Sequence, residues 1–368
     1  METFETVYRS ISEMREPGFR GLKDPYGVLA MTEQKRRAFR ANPYLSRWND
    51  YCQQVKATDG VAFGGEIQFP LLVDLDGQEI VALSGSTTFV AKEYRKTEAG
   101  MSFGKCRTER SPGHYSCGSA MSQMMVKYLR YFKIPILEMP RYILLFRSRS
   151  VVESKLSGTL AGLVSGMCDI ALKGIMGILS CLARFKTRGL SFTDVNASES
   201  DVLEEVAALI RTDRHRFKEV HDAAWLKWMM TESFDNDPMK LTAVRKDGRL
   251  VAFYMTKVRF HEQASSRGFK NVWLASIMEW ETVSECSHLL KWVLLRAALS
   301  QRRMTDACEI LLPDAALCRF FKSVGARQVG NGNYTISPPP GTHPECEADL
   351  QKSGNWRLRP ALCDAGLN

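Results

Sequence analysis

One pattern occurs twice along the 368-residue chain, and it constrains the fold more than any other feature. Segments 71–90 (LLVDLDGQEIVALSGSTTFV) and 241–260 (LTAVRKDGRLVAFYMTKVRF) each contain a short apolar run, an Asp-Gly pair and a longer apolar run. Asp-Gly between alternating hydrophobic residues is a strong hairpin signal, because both residues tolerate positive φ. We therefore predict two antiparallel hairpins, which turn at Asp76-Gly77 and at Asp247-Gly248.

A second pair of similar segments follows the hairpins in the same order. Segments 126–136 (VKYLRYFKIPI) and 316–329 (ALCRFFKSVGARQV) both have the pattern of an amphipathic helix with aromatic residues, then a break and a strand. Two matches in the same order indicate that one fold is duplicated along the chain.

The second half has a clear order of predicted elements. A strand, two helices, the hairpin, a strand, a helix, a strand, a helix and a last strand follow one another. Their predicted ranges are 190–195, 198–213, 224–230, the Asp247 hairpin, 272–280, 288–299, 307–313, the helix from 316 and 333–337.

This order resembles that of the GNAT superfamily of N-acyltransferases. Segment 320–330 (FFKSVGARQVG) is similar to the family's late helix-to-strand element, with Ala326 in place of the family's Phe after Gly325. The resemblance implies an α+β fold of two tandem GNAT-like domains of a bacterial type, each a mixed, mostly antiparallel sheet flanked by helices. The expected ranges are 1–150 for the first domain, 151–188 for an apolar and basic helical linker, 189–337 for a second, degenerate domain and 338–368 for a flexible tail.

The first half also resembles the family where it binds its cofactor. Segment 89–103 (FVAKEYRKTEAGMSF) is similar to the stretch in which a strand ends, the chain turns and a helix begins. The family pattern is Arg/Gln-x-x-Gly-x-Gly/Ala, and this chain has one extra residue before the glycine. The resemblance implies that the cofactor is bound by Phe89, Val90, Arg95, Lys96, Ala99, Gly100 and Met101.

General physical chemistry favours an anion site at the same turn. A basic, glycine-containing turn that leads into a helix directs free N–H groups and the helix dipole at a ligand, and Arg95 and Lys96 add positive charge. The alternative is a solvated basic turn in an unrelated α/β domain. In the second half, segment 281–288 (ETVSECSH) has no glycine and carries Glu281 and Glu285, which would repel a pyrophosphate.

The family's reaction, attack of an amine on a thioester, implies further residues. Tyr131 is the predicted proton donor to the leaving sulfur, and Glu98 is the predicted base. Alternatives are that Tyr128 and Tyr131 are both core residues, and that Glu93 or His114 is the base. The ten cysteines contain no metal-binding spacing, so we expect no metal and free thiols in a reducing cytoplasm.

Between the halves, segment 155–186 is apolar and glycine-rich, with basic residues at both ends. From Arg141 to Arg188 there are eight basic and two acidic residues. Three interpretations remain open: a pair of interdomain helices packed on the domains, an interfacial helix held against anionic lipid, or a transmembrane helix.

The leading functional hypothesis is an enzyme that transfers an acyl group from acyl-CoA, or from an acyl-carrier protein, to an amine acceptor. The alternative is a non-catalytic GNAT-like protein that acts at a membrane surface or on a protein partner. Aminoacyl transfer in cell-wall synthesis is a third hypothesis. A net charge of +9 without a recognised motif does not indicate nucleic acid. We expect a cytoplasmic location, with peripheral contact at the inner face of the membrane through 155–186.

Overall fold

A computed structural model describes residues 4–10, 13, 19, 21–47, 53–98, 114–119, 123–131, 134–153, 156, 158–234, 237–264, 269–339, 341–342 and 344–361. The strands are β1 Glu5–Arg9, β2 Gln53–Thr58, β3 Val61–Leu75, β4 Gln78–Val90, β5 Tyr115–Ser119, β6 Leu137–Leu145, β7 Leu190–Val195, β8 Phe217–Glu219, β9 Lys240–Lys246, β10 Arg249–Ala264, β11 Phe269–Thr282, β12 Ala307–Leu311 and β13 Arg327–Ser337. The helices are α1 Glu33–Arg40, α2 Gln123–Tyr131, α3 Arg149–Val152, α4 Gly158–Lys186, α5 Ser200–Arg211, α6 Ala223–Thr231, α7 Leu290–Ser300, α8 Ala315–Ser323 and α9 Pro344–Leu350.

The thirteen strands form one continuous mixed sheet. Its order is β1-β2-β3-β4-β5-β13-β6-β12-β11-β10-β9-β7, and β8 pairs with the end of β3. Along this path the pairs β4–β5 and β11–β12 are parallel, and the other pairs are antiparallel. The predicted fold class, a mixed and mostly antiparallel sheet flanked by helices, is confirmed.

Both predicted hairpins are present. The turns at Asp76-Gly77 and Asp247-Gly248 have all four residues at positive φ, between 48° and 87°. The strands pair directly on either side of them. A third turn of the same kind, Asp59-Gly60, joins β2 to β3 and was not predicted.

The two halves exchange their last strands at the centre of the sheet. β13, from the second half, lies between β5 and β6, and β6, from the first half, lies between β13 and β12. Each half therefore completes the sheet of the other, and the halves cannot separate without breaking these strand pairs.

Helices cover both faces of the sheet. Phe253 and Met255 of β10 belong to one buried cluster, whereas Ala252 and Tyr254 belong to another, so the clusters lie on opposite faces. The first cluster contains residues of α1, α5 and α6 and joins the two halves. The second contains residues of α4, α7 and α8.

The C-terminal residues differ from the expected flexible tail. Trp356, Leu358 and Ala361 are at most 1% exposed and belong to the cluster that joins the halves. The Trp356 ring lies against Phe217 and Tyr334. The burial of their apolar side chains fixes Trp356, Leu358 and Ala361 against the body, so these residues are not part of a flexible tail.

The linker also differs from one of the three interpretations, the pair of interdomain helices. α4 is one continuous helix of 29 residues rather than a pair of packed helices. Many of its apolar side chains are exposed, including Leu163, Met167 and Ile170.

Candidate functional site

Each half contains a place where two parallel strands separate. β4 pairs with β5 from Ala82 to Ser84, and β11 pairs with β12 from Leu274 to Ile277. Beyond these residues the longer strand of each pair continues, to Val90 in β4 and to Thr282 in β11. We call the two openings the first wedge, along Gly85–Val90, and the second wedge, along Met278–Thr282.

A β-bulge lies in the long strand of each wedge. On β3 and β4 the register shifts between the pairs Gly65–Phe89 and Ile67–Ser86. On β10 and β11 it shifts between Met255–Glu279 and Thr256–Ile277, so Met278 is the extra residue. Bulges redirect backbone groups and are common next to active sites. Each wedge therefore has a β-bulge in its longer strand, beyond the last parallel pair.

The end of β4 leads into a well-fixed basic turn. The Ala91 N–H donates to Phe63 O (2.8 Å), and the Tyr94 ring stacks on Phe63 with centroids 4.2 Å apart. Arg95 Nε donates to Val90 O at 2.8 Å, which holds this guanidinium over the end of the strand. Arg95 and Lys96 are exposed, so the turn presents two positive charges to solvent beside the first wedge.

An exposed hydroxyl on β4 contacts a buried carboxylate on the neighbouring strand β3. Thr88 is exposed, and its hydroxyl donates to Glu66 Oε1 at 3.1 Å. Glu66 is 1% exposed, and Gln54 Nε2 donates to its other oxygen at 2.8 Å. Phe89, next along the strand, is 39% exposed. In the first wedge, Thr88 and Phe89 are therefore exposed, and a carboxylate of β3 lies opposite the bulge.

The second wedge is filled by the chain's own C-terminal segment, Trp356–Ala361. The Ala361 N–H donates to Met278 O, the carbonyl of the bulge, at 2.9 Å. Arg359 Nε donates to Trp280 O at 3.1 Å. Met278 through Glu281 are at most 9% exposed, so the strand edge that is accessible in the first half is covered in the second.

Buried ion pairs fix this segment in place. Arg357, 1% exposed, donates to Glu279 at 2.6 Å and to Glu281 at 3.2 Å. Arg359 donates to Glu281 at 3.0 Å. His221 Nδ1 lies 2.7 Å from Glu279 Oε2 and stacks on Trp225 at 3.7 Å between ring centroids.

The charges of this cluster are mutually dependent. Burial alone would raise the pKa of Glu279, but Arg357 and then His221 hold that pKa at about 2. Burial would lower the pKa of His221, and Glu279, followed by Glu219, raises it above its ordinary value. Glu279 is therefore ionised at neutral pH, and its carboxylate binds Arg357 of the C-terminal segment.

Comparison with known proteins relates this geometry to a fold. No protein-family model and no curated protein matches the sequence. Among solved structures, N-myristoyltransferase from Saccharomyces cerevisiae with bound myristoyl-CoA aligns with a TM-score of 0.60 at 11% identity, over 97% of this chain and 85% of that one. A GCN5-related N-acetyltransferase from Anabaena variabilis gives 0.52 at 11% identity, over 91% and 72%. A probable N-acyltransferase from Enterococcus faecalis gives 0.50 at 11% identity, over 92% and 71%.

The chain has a GNAT fold. The resemblance proposed from the hairpins and the late helix-to-strand element is confirmed at the level of fold. In GNAT terms, the first wedge lies at the end of the strand that precedes the predicted cofactor turn.

The structure places part of the predicted cofactor site together. Phe89 and Val90 end β4, and Arg95 and Lys96 follow in the basic turn, with a direct contact between Arg95 and Val90. Ala99, Gly100 and Met101 lie outside the described residues. These assignments remain predictions.

The predicted catalytic residues lie at exposed positions. Glu98 is exposed and lies at the edge of the described residues. Tyr131, the last residue of α2, is 76% exposed, so it is not a core residue. His114 is half-buried, directly before β5. Among the described residues, no group of three or more His, Cys, Asp or Glu side chains could hold a metal ion.

Sequence reasoning missed two functional features. The Gln54–Glu66–Thr88 chain of polar contacts escaped notice because its members come from three strands. The signal available in the sequence was Glu66 inside the largely apolar strand β3. The closure of the second wedge was missed because Arg357 and Arg359 lie almost eighty residues beyond their carboxylate partners.

Proposed function

We propose that the chain is an N-acyltransferase that binds an acyl-CoA in the first wedge and transfers the acyl group to an amine. The observation that supports it is the contrast between the wedges. The first has exposed residues, Thr88 and Phe89, at its bulge and a basic turn beside it, whereas the bulge of the second is covered by the chain's own tail.

The residues of the first wedge suit the parts of an acyl-CoA. The amide groups of the pantetheine arm can pair with the open backbone of Gly85–Val90, as an added strand would. Arg95 and Lys96 suit the pyrophosphate, because both are exposed beside the strand's end and Arg95 is held there by Val90 O. A backbone N–H near Phe89–Val90 would polarise the thioester carbonyl.

The reaction requires two proton transfers. The amine nitrogen attacks the thioester carbon, an amide bond forms and the C–S bond breaks. The amine's proton goes to a carboxylate, for which we propose Glu98 or, through the Thr88 hydroxyl, Glu66. The thiolate takes a proton from Tyr131 in our proposal.

In this proposal the second half has a structural role, because its strand β13 completes the sheet of the first half. Its wedge is closed by Trp356–Ala361, so we propose that it is degenerate and binds no acyl-CoA. An acyl-carrier protein is the alternative donor, since its phosphopantetheine arm and acidic surface would suit the same basic turn.

Ligand-induced stabilisation tests the proposal. A ligand that binds the folded state raises the melting temperature. We expect a rise with acetyl-CoA, long-chain acyl-CoA or acylated carrier protein, and Arg95→Glu should weaken binding by at least about tenfold. Arg319→Glu, a matched charge reversal at an exposed residue of α8, should leave binding unchanged.

Two results would contradict the proposal. Absence of any shift at saturating donor would favour the non-catalytic alternative, a GNAT-like protein that binds a membrane or a protein partner. Equal effects of Arg95→Glu and Arg319→Glu would place the site elsewhere.

A further inference from the structure

α4, Gly158–Lys186, lies along the surface of the second half and is held there over its length. The Ser148 hydroxyl donates to Ser165 O at 3.1 Å and to Asp169 at 2.8 Å. Arg302 donates to Met176 O at 3.1 Å, and Arg296 donates to the Thr187 hydroxyl at 2.9 Å. These contacts fix the beginning, middle and end of the helix against the body of the protein.

The inner face of α4 packs against the body of the protein at a few buried positions. Ala161, Met176 and Ala183 are at most 5% exposed, and the latter two belong to the buried cluster that includes α7. A helix held in this way can cross a bilayer only if it leaves its own core. By length and composition α4 could span a membrane, with a mean hydropathy of 1.5, but its packing orients it along the protein surface instead.

The outer face of α4 is an apolar strip open to solvent. Eight large apolar side chains contribute to it: Leu160, Leu163, Met167, Ile170, Ile175, Ile178, Leu182 and Phe185. Met167, Ile170 and Ile178 are 75%, 72% and 71% exposed. The strip extends along the helix for about 38 Å at 1.5 Å per residue. A continuous exposed apolar surface of this size marks an interaction site.

The charges around the strip identify its partner. Lys173, Arg184, Lys186 and Arg188 are exposed on or directly after α4. Asp169, the sole acidic residue of the helix, accepts hydrogen bonds from the Ser148 N–H and hydroxyl. An apolar strip flanked by cations complements a bilayer with anionic headgroups, because long basic side chains can reach the headgroups while the apolar residues enter the acyl boundary.

A second copy of the chain complements this surface less well. In a twofold pair centred on the strip, Lys173 of one chain would face Lys173 of the other, which is a like-charge contact. The same argument disfavours a parallel pair, in which every cation would meet its own counterpart.

We propose that α4 docks the protein, in plane, on an anionic lipid bilayer. The helix lies parallel to the membrane with its outer strip about 5–10 Å deep in the interface. Docking through α4 does not depend on the acyl-CoA site, so it can be tested separately from the proposed enzymatic activity.

Vesicle binding of the full-length chain tests the charge requirement. We expect co-sedimentation with vesicles of phosphatidylcholine and phosphatidylglycerol, and much weaker co-sedimentation with phosphatidylcholine alone. Lys173→Gln should weaken binding roughly fivefold, since one basic residue near the surface contributes about that factor. Lys227→Gln, at an exposed residue of α6 on the other face of the sheet, is the matched control and should have no effect. Arg95→Glu should bind vesicles like the unchanged protein.

Native cysteines report which surface is covered. Cys168 and Cys181 are exposed on α4, and Cys346 is exposed on α9. Anionic vesicles should protect the first two from a charged maleimide and leave Cys346 reactive, as measured by mass spectrometry of peptides. The double variant Met167→Asp/Ile170→Asp, which changes exposed side chains only, should abolish both binding and protection.

Three results with vesicles would overturn the proposal. These are no binding to either vesicle, equal binding to both, or protection of Cys346 together with Cys168. A dimer in sedimentation without lipid that Met167→Asp/Ile170→Asp dissociates would also overturn it, because the strip would then bind a second copy.

Discussion

Removal of the Arg357 side chain should destabilise the fold far more than removal of an exposed arginine with similar contacts. Arg357 is 1% exposed and binds Glu279 and Glu281, which are themselves 0% and 9% exposed. Arg357→Ala leaves these carboxylates buried with less compensating charge. Breaking a buried ion pair in this way costs about 3–5 kcal/mol.

Arg216 provides the matched control. It also binds two carboxylates, Asp76 at 2.7 Å and Asp349 at 2.8 Å, but its side chain is 46% exposed. Water can solvate the partners that Arg216→Ala leaves behind, so only a small loss is expected. Urea unfolding at pH 7, followed by tryptophan fluorescence, measures both variants. Equal losses of unfolding free energy in the two variants would refute the claim that buried ion pairs hold Trp356–Ala361 in the second wedge.

Three further predictions concern the site and the fold. The pKa of Glu279 in the folded protein is about 2, below its ordinary 4.5. Its contribution to stability is therefore complete above pH 4.5 and is lost as the pH falls through 2. The unfolding free energy of Glu279→Gln, measured by acid unfolding, should depend less steeply on pH between these values. Glu66→Gln should lower kcat with little change in KM for the acyl donor if Glu66 accepts the amine's proton through Thr88, and an unchanged kcat in steady-state assays would exclude that route. Gly77→Ala should destabilise the β3–β4 hairpin by about 1–2 kcal/mol, because φ is 87° there, and an unchanged urea midpoint would contradict this.

The local parts of the fold were predictable because their causes are local. Asp-Gly pairs between apolar runs specify the hairpins at Asp76-Gly77 and Asp247-Gly248 wherever the strands later pack. Asp59-Gly60 has the same signal, but the polar residues of β2 and the glycines of β3 obscured the alternation around it.

The features that depend on distant partners were not predictable. The positions of β6 and β13 in the sheet depend on each other and on strands of the opposite half, which no local pattern encodes. Arg357 and Arg359 have the composition of a solvated tail, and only Glu279 and Glu281 on β11 make their burial favourable. For α4, composition left packing on the domains, lipid contact and membrane spanning open, and only the structure shows which face is exposed.

The sequence predicted where the candidate site lies along the chain better than it predicted which groups surround the site. The basic turn at Arg95 could be predicted because charge and glycine at a strand's end are a local signal. The end of the β4–β5 pairing at Ser84 depends on how β4 and β5 separate, which is a property of the whole sheet.

Hydrogen exchange with and without an acyl-CoA tests the central claim most directly, because it reports both wedges in one experiment. Pairing of the donor with β4 should slow amide exchange in peptides covering Gly85–Glu98. Peptides covering Met278–Thr282 should be protected equally with and without the donor, since the tail already covers that edge. Donor-dependent protection confined to Met278–Thr282, or none in either wedge, would contradict the account.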